Sequence, residues 1–138
     1  MYHLTTPTVT VVHAIDIDCS VAKTFDFMHD APQWLPWAMP QVESVKPLPF
    51  GQWLLKMPNG LAKLRSSYDT DLNTIDYEIV DPTSGAWHVP VLVIPTRTGC
   101  HLAITFVKPD YLPLDTFETS MQHTAAGLNT LKLVLEQD

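Results

Sequence analysis

Four polar side chains sit at positions where the two-residue rhythm of a β-strand would turn them inward. Their chemistry is hydrogen bonding and proton transfer, not covalent attack. His13 is in phase with Val9, Val11, Ile15 and Ile17, so its imidazole shares the apolar face of its strand. A buried imidazole needs partners or a polar lining. It is either a core histidine satisfied by its neighbours or a pocket group that donates, accepts or moves a proton near neutral pH. Ser66 and Tyr68 share a phase with Ala62 and Leu64, and Tyr77 with Ile75 and Ile79. Their hydroxyls are core fixtures or, with His13, the few convergent polar groups that orient a ligand in an apolar pocket.

Other chemistries are not expected. The six histidines form no metal-ligand pattern, and no nucleotide-loop, dinucleotide or nucleophile-elbow motif occurs. Neither metal nor organic cofactor is therefore anticipated. Cys19 and Cys100 are too few for a disulfide framework and lie in no Cys-x-x-Cys pair, so both are expected to stay reduced. Eight Lys and Arg against fifteen Asp and Glu give a net charge of −7. No Lys/Arg cluster stands along the chain to neutralise phosphates, so neither nucleic acid nor an anionic membrane surface is an expected partner. The longest unbroken apolar run, Val91 to Ile94, is far short of the ~20 residues that stable membrane insertion needs. No signal-like segment opens the chain, which points to the cytoplasm.

The elements that would position these groups are punctuated by twelve prolines, against only five glycines in 138 residues. Proline-free windows at 8–31, 59–81, 96–108 and 114–138 mark where regular structure can run. Val9 to Ile17 alternates as a strand. Ser20 reads as a helix N-cap, with Val21, Phe25 and Met28 at helical spacing and an end near Asp30, ahead of Pro32. A second short helix or turn fits Gln33 to Trp37. Strands follow over Val42–Val45, Gln52–Met57 and Leu61–Asp71, the last two joined by a Pro58-Asn59-Gly60 turn. A turn at Leu72-Asn73 leads into Ile75, Tyr77 and Ile79, and a loop spans Asp81 to Gly85. Trp87–Ile94 is interrupted by Pro90 and bounded by Pro95, which predicts an edge strand or a bulge. Cys100, Leu102, Ile104 and Phe106 share one face of the last strand. Leu114 to Glu136 is the longest helix, with Phe117, Met121, Thr124, Leu128, Leu131 and Leu135 on one stripe.

This order predicts a single α+β domain over 1–138: an antiparallel sheet of about six or seven strands, two short helices after the first strand and one long C-terminal helix. A sheet with one apolar face must bury it, and only the last helix is long enough. One helix covers so many strands only if the sheet curls around it, and a curled sheet tends to leave a hollow. Around such a hollow, Trp53 and Trp37 read as packing groups, and Trp34, in a proline-rich segment, as a lid or mouth. Phe106 and Met121 supply wall. Gly127 costs about 1 kcal/mol relative to alanine in mid-helix, offset by room for a ligand or by close approach of the sheet.

The run from Ser20 to Trp37, a short helix followed by Asp30, Trp34 and Trp37 ahead of a strand, resembles the SRPBCC superfamily of START lipid-transfer domains, polyketide cyclase/dehydrases and birch-pollen-allergen-like proteins. The resemblance implies a helix-grip fold, a curved sheet wrapped around the C-terminal helix over a deep apolar pocket. It makes Asp30 structural and pairs the strands that carry Cys19 and Cys100. Functions on one fold differ, so the resemblance lends the pocket and not the chemistry, and with the residues read above three readings stand. The first is binding of a small hydrophobic or amphipathic, lipid- or polyketide-like molecule by His13, Trp34, Trp53, Ser66, Tyr68, Tyr77, Phe106, Met121 and Gly127. The second is a cofactor-independent cyclase, aromatase or dehydratase with His13 or a pocket tyrosine as acid/base. The third is a protein-interaction or chaperone-cofactor module using the outer face of the sheet.

Overall fold

The computed structural model of the chain describes residues 9–38, 42–58, 60–81, 85–108 and 113–137, without the side chains of 36–38, 81 and 85–87. Its elements are β1 (Thr10–Ile17), α1 (Val21–His29), α2 (Ala31–Ala38), β2 (Ser44–Leu48), β3 (Gln52–Met57), β4 (Gly60–Asp69), β5 (Thr74–Asp81), β6 (Gly85–Pro95), β7 (Cys100–Val107) and α3 (Leu114–Glu136), with one 3-10 turn at Pro49–Gly51. The strands form one antiparallel sheet in the order β1-β7-β6-β5-β4-β3-β2. This is the helix-grip arrangement: a curved seven-stranded sheet, two short helices after the first strand, and the long C-terminal helix lying against β1 and α2.

Local chemistry sets the boundaries. Ser20 caps α1, its Oγ accepting from the Lys23 amide at 3.1 Å. Asp30 separates the two helices: its carbonyl accepts the Gln33 amide at 3.0 Å and its carboxylate the Gln33 side chain at 2.7 Å. The α3 stripe of Phe117, Met121, Thr124, Leu128, Leu131 and Leu135 is buried as its spacing predicts. Each apolar member contributes about 1.5–3 kcal/mol by leaving water, so packing and not intrinsic propensity holds this helix.

Proline proves a softer stop than the windows imply. α2 runs from Ala31 through Pro32 and Pro36; Pro32 falls in the first turn, which needs no intrahelical amide donors. β2 covers Ser44–Leu48, not Val42–Val45, and includes Pro47, which an edge strand tolerates. β6 is neither an edge nor a bulge: it lies inside the sheet, between β5 and β7. Pro90 stands opposite Asp76 of β5, and the pairs with β7 begin only at Val91. The residues 82–84 of the expected loop, Asn59 of the expected turn, and the Trp37 and Trp87 side chains lie outside the described part.

The expected absence of a cation cluster is corrected by the fold. Lys46, Lys56, Lys63 and Arg65, dispersed in sequence, all stand exposed on β2, β3 and β4. No helix among the described residues is long and apolar enough to cross a membrane.

Candidate functional site: the inner face of the sheet

The inner face gathers the strand phases read as apolar: Leu102, Ile104 and Phe106 from β7, Val89, Val91 and Val93 from β6, Ile75, Tyr77 and Ile79 from β5, Ala62 and Leu64 from β4, and Leu55 from β3. α3 and α2 close over this layer with Phe117, Met121, Leu128, Trp34 and Leu35. Among so many apolar atoms, each polar group must be paired inside the protein or be left for something else.

Tyr77 and Trp34 are paired. Tyr77 is fully buried, its hydroxyl donating to the Met28 carbonyl at the end of α1 and accepting from Trp34 Nε1 at 3.3 Å. The two rings pack with centroids 4.9 Å apart. Burial pushes the Tyr77 phenol well above its ordinary range, with the Trp34 hydrogen bond opposing the shift. The pair joins β5 to both short helices, so Tyr77 is a neutral structural hydroxyl. Trp34 is 1 % exposed, which corrects its reading as a lid or mouth: α2 turns it inward onto Tyr77.

His13 is different. Its position on β1 places it half-buried beside Phe106, centroids 5.8 Å apart and edge to face. Its Nε2 is buried and has no hydrogen-bond partner among the described residues. Whichever tautomer is present, that nitrogen carries an N–H or a lone pair with an unmet bond. Desolvation lowers its pKa below 6.5, which holds the ring neutral at pH 7. A neutral imidazole can donate or accept one hydrogen bond to an uncharged ligand.

A second imidazole, His29, is the last residue of α1. Its Nε2 is also buried without a partner among the described residues. It stacks on Phe25 at 6.2 Å and meets the edge of Tyr68 at 4.6 Å. The signal was in the spacing, because His29 follows Phe25 by four residues and so shares its helix face. Tyr68 keeps its inward phase but is 57 % exposed, so it is not a buried group. It sits near the β4–β5 turn, opposite Ile75, with Phe25 and His29 against its ring.

The remaining candidates are scattered around the same layer. Trp53 is half-buried against the core, and Ser66 is half-buried opposite Tyr77. Phe106 and Met121 are buried walls, and Gly127 is half-buried on α3 beside Leu128. Cys100, paired in register with Ile17, is buried, with its Sγ 3.2 Å from Thr24 Oγ1; both thiols are free. No group of three or more potential metal ligands occurs among the described residues.

Three solved structures share this arrangement at low identity. A START superfamily protein from Mycobacterium smegmatis superposes with a TM-score of 0.64 and 16 % identity, covering 93 % of this chain and 97 % of its own. Truncated norcoclaurine synthase from Thalictrum flavum gives 0.65 and 15 % over 100 % of both chains. Aha1 from Colwellia psychrerythraea gives 0.68 and 14 %, covering 93 % of this chain and 96 % of its own. No family model matches the sequence, and no curated protein does so either. What is shared with these structures is the fold.

Proposed function

We propose that the protein binds a small hydrophobic or amphipathic molecule against the inner face of its sheet, with His13 supplying the orienting hydrogen bond. One observation carries this reading: a half-buried imidazole on an otherwise apolar face, its buried nitrogen without a hydrogen-bond partner among the described residues. An unmet buried polar atom costs about 1–3 kcal/mol, and a ligand carbonyl or hydroxyl would recover it. Phe106, Met121, Trp53 and Gly127 would form the surrounding wall, with Ser66 as a second polar contact.

The fold alone does not choose among functions, since the similar structures include an enzyme, norcoclaurine synthase, alongside a START protein and Aha1. Binding is favoured over acid/base catalysis because the Tyr77 hydroxyl, the obvious second proton carrier, is already committed to Met28 and Trp34. Tyr68 faces solvent on one side, so it too is a poor buried acid.

Native mass spectrometry of the purified protein tests the reading, together with titration by the fluorescent amphiphile 8-anilinonaphthalene-1-sulfonate. A co-purifying apolar compound, displaced by the dye, is expected. His13→Leu should lower affinity for that compound about tenfold, the equivalent of one hydrogen bond of ~1.4 kcal/mol. Absence of any bound compound together with dye binding that ignores His13→Leu would sink it.

A further inference from the structure

The outer face of the sheet carries side chains in cross-strand rows. Lys46 stands opposite Leu54, Leu54 opposite Lys63 and Lys63 opposite Val80. One row therefore reads cation, apolar, cation, apolar across β2, β3, β4 and β5. A neighbouring row places Ser44 opposite Lys56 and Lys56 opposite Leu61; on the other side Arg65 pairs with Glu78, which in turn meets His88. Between these rows lies a groove of about 340 Å³ lined by Leu54, Leu61, Lys63, Arg65 and Val80.

Two properties set this face apart. Its β2–β4 part holds four of the eight Lys and Arg in a chain whose net charge is −7; of the acids on the same face, Glu78 is paired with Arg65, and Asp69 and Asp76 stand away from the lysines, toward the β4–β5 turn. Lys46, Lys56 and Lys63 have no carboxylate within ion-pair distance among the described residues, and Leu61 is 57 % exposed between them. Unneutralised cations around an apolar floor complement a partner that is acidic and apolar by turns.

The spacing narrows the partner further. Adjacent strands lie about 4.8 Å apart, so the groups of the row recur at that interval. A helix laid across the strands rises about 5.4 Å per turn. Carboxylates two turns apart would then meet Lys46 and Lys63, and apolar side chains on the alternate turns would meet Leu54 and Val80. The mismatch of about 0.6 Å per turn is within the reach of lysine side chains. An extended segment repeats on one face every ~6.7 Å and falls out of step at once. A bilayer is disfavoured because the chain as a whole is acidic, with net charge −7. We propose that this face docks an acidic amphipathic helix of a partner protein, with carboxylate and apolar side chains alternating turn by turn.

The test uses the whole protein and a synthetic, fluorescein-labelled helical peptide with Glu two turns apart and Leu on the alternate turns. A second peptide carries Lys for Glu, and vesicles of phosphatidylserine and phosphatidylcholine serve as the membrane arm. Anisotropy should report binding of the Glu peptide, weakening with salt, and none of the Lys peptide. The double reversal K46E/K63E, on two exposed positions, should cost tenfold or more in affinity while circular dichroism and Tm report an intact fold. Leu54→Asn should weaken binding without changing its salt dependence. The proposal is overturned if the Glu peptide fails to bind, if both peptides bind alike, if K46E/K63E keeps full affinity, or if the protein binds the vesicles in preference to the peptide.

Discussion

At the scale of single residues, burial divides the polar groups of the inner face into those the fold consumes and those it leaves. Tyr77 and Trp34 are consumed, and their loss would be felt in stability. His13 is left over, and its loss would be felt in pH dependence. Because burial depresses the folded pKa of His13 below 6.5, the unfolded chain binds its proton more readily than the native state does. The stability this neutral ring permits is complete above pH 6.5 and is lost as pH falls below that value through the folded pKa. Urea unfolding of the wild type and His13→Leu across pH 5–8 isolates the contribution, since every other titrating group is common to both. The wild-type curve should drop relative to the variant below about pH 6.5. Parallel curves throughout would mean that the imbalance around His13 is not what the burial implies.

At the scale of elements, what was legible in the sequence follows from periodicity, and what was hidden follows from contacts between distant segments. β1, α1, β3, β7 and α3 were readable because each has one buried face, which writes a period of two or near 3.6 into the chain. The Ser20 cap was readable because its partner lies three residues away. β2 and β6 depart from expectation because position within the ladder decides what the missing amide of a proline costs, whereas α2, expected over Gln33 to Trp37, is present and begins two residues earlier. Tyr68 kept the right phase and still reached solvent, because exposure near a strand end depends on which helix lies above it. Gly99 is the sharpest instance. In sequence it is a turn glycine between β6 and β7. In the fold, a Cβ there would stand 2.7 Å from the Cys19 amide nitrogen and closer still to the Ile17 carbonyl oxygen, both backbone atoms of the β1–α1 corner. Backbone cannot swing aside as a side-chain tip can, so Gly99→Ala should destabilise the protein by about 2–3 kcal/mol, the upper range for overpacking. Equilibrium urea denaturation measures it, and a loss under about 0.5 kcal/mol, typical of a neutral surface change, would show that the corner yields.

At the scale of the whole molecule, α3 is the longest element that covers the inner face. Its C-terminal end is tied to the β1–α1 corner by a set of charge-assisted bonds. Lys23 Nζ donates to the Leu135 and Gln137 carbonyls at 3.0 and 2.8 Å, placing a cation at the negative end of the helix dipole. Lys132 Nζ donates to the Asp16 carbonyl at 2.8 Å and to Glu136 at 2.6 Å, while Glu136 accepts the Asp18 amide at 2.8 Å. The bonds from Lys132 and Asp18 hold the Glu136 carboxyl below its usual range, so this tie is present near neutrality and is released as pH falls through the acid range. Were the proposed ligand to pass under this end of α3, the clamp would set its rate of exchange. Removing the Lys23 bonds by Lys23→Met should cost on the order of 1 kcal/mol locally, raising the open population roughly fivefold to tenfold. Native-state hydrogen exchange should then quicken by that factor at the amides of Leu131 to Leu135, with protection in β5 and β6 unchanged. If 8-anilinonaphthalene-1-sulfonate bound at the inner face also dissociates faster in stopped-flow measurements by the same factor, α3 is the gate. Should exchange quicken while dye release does not, the ligand enters elsewhere, and the clamp serves stability alone.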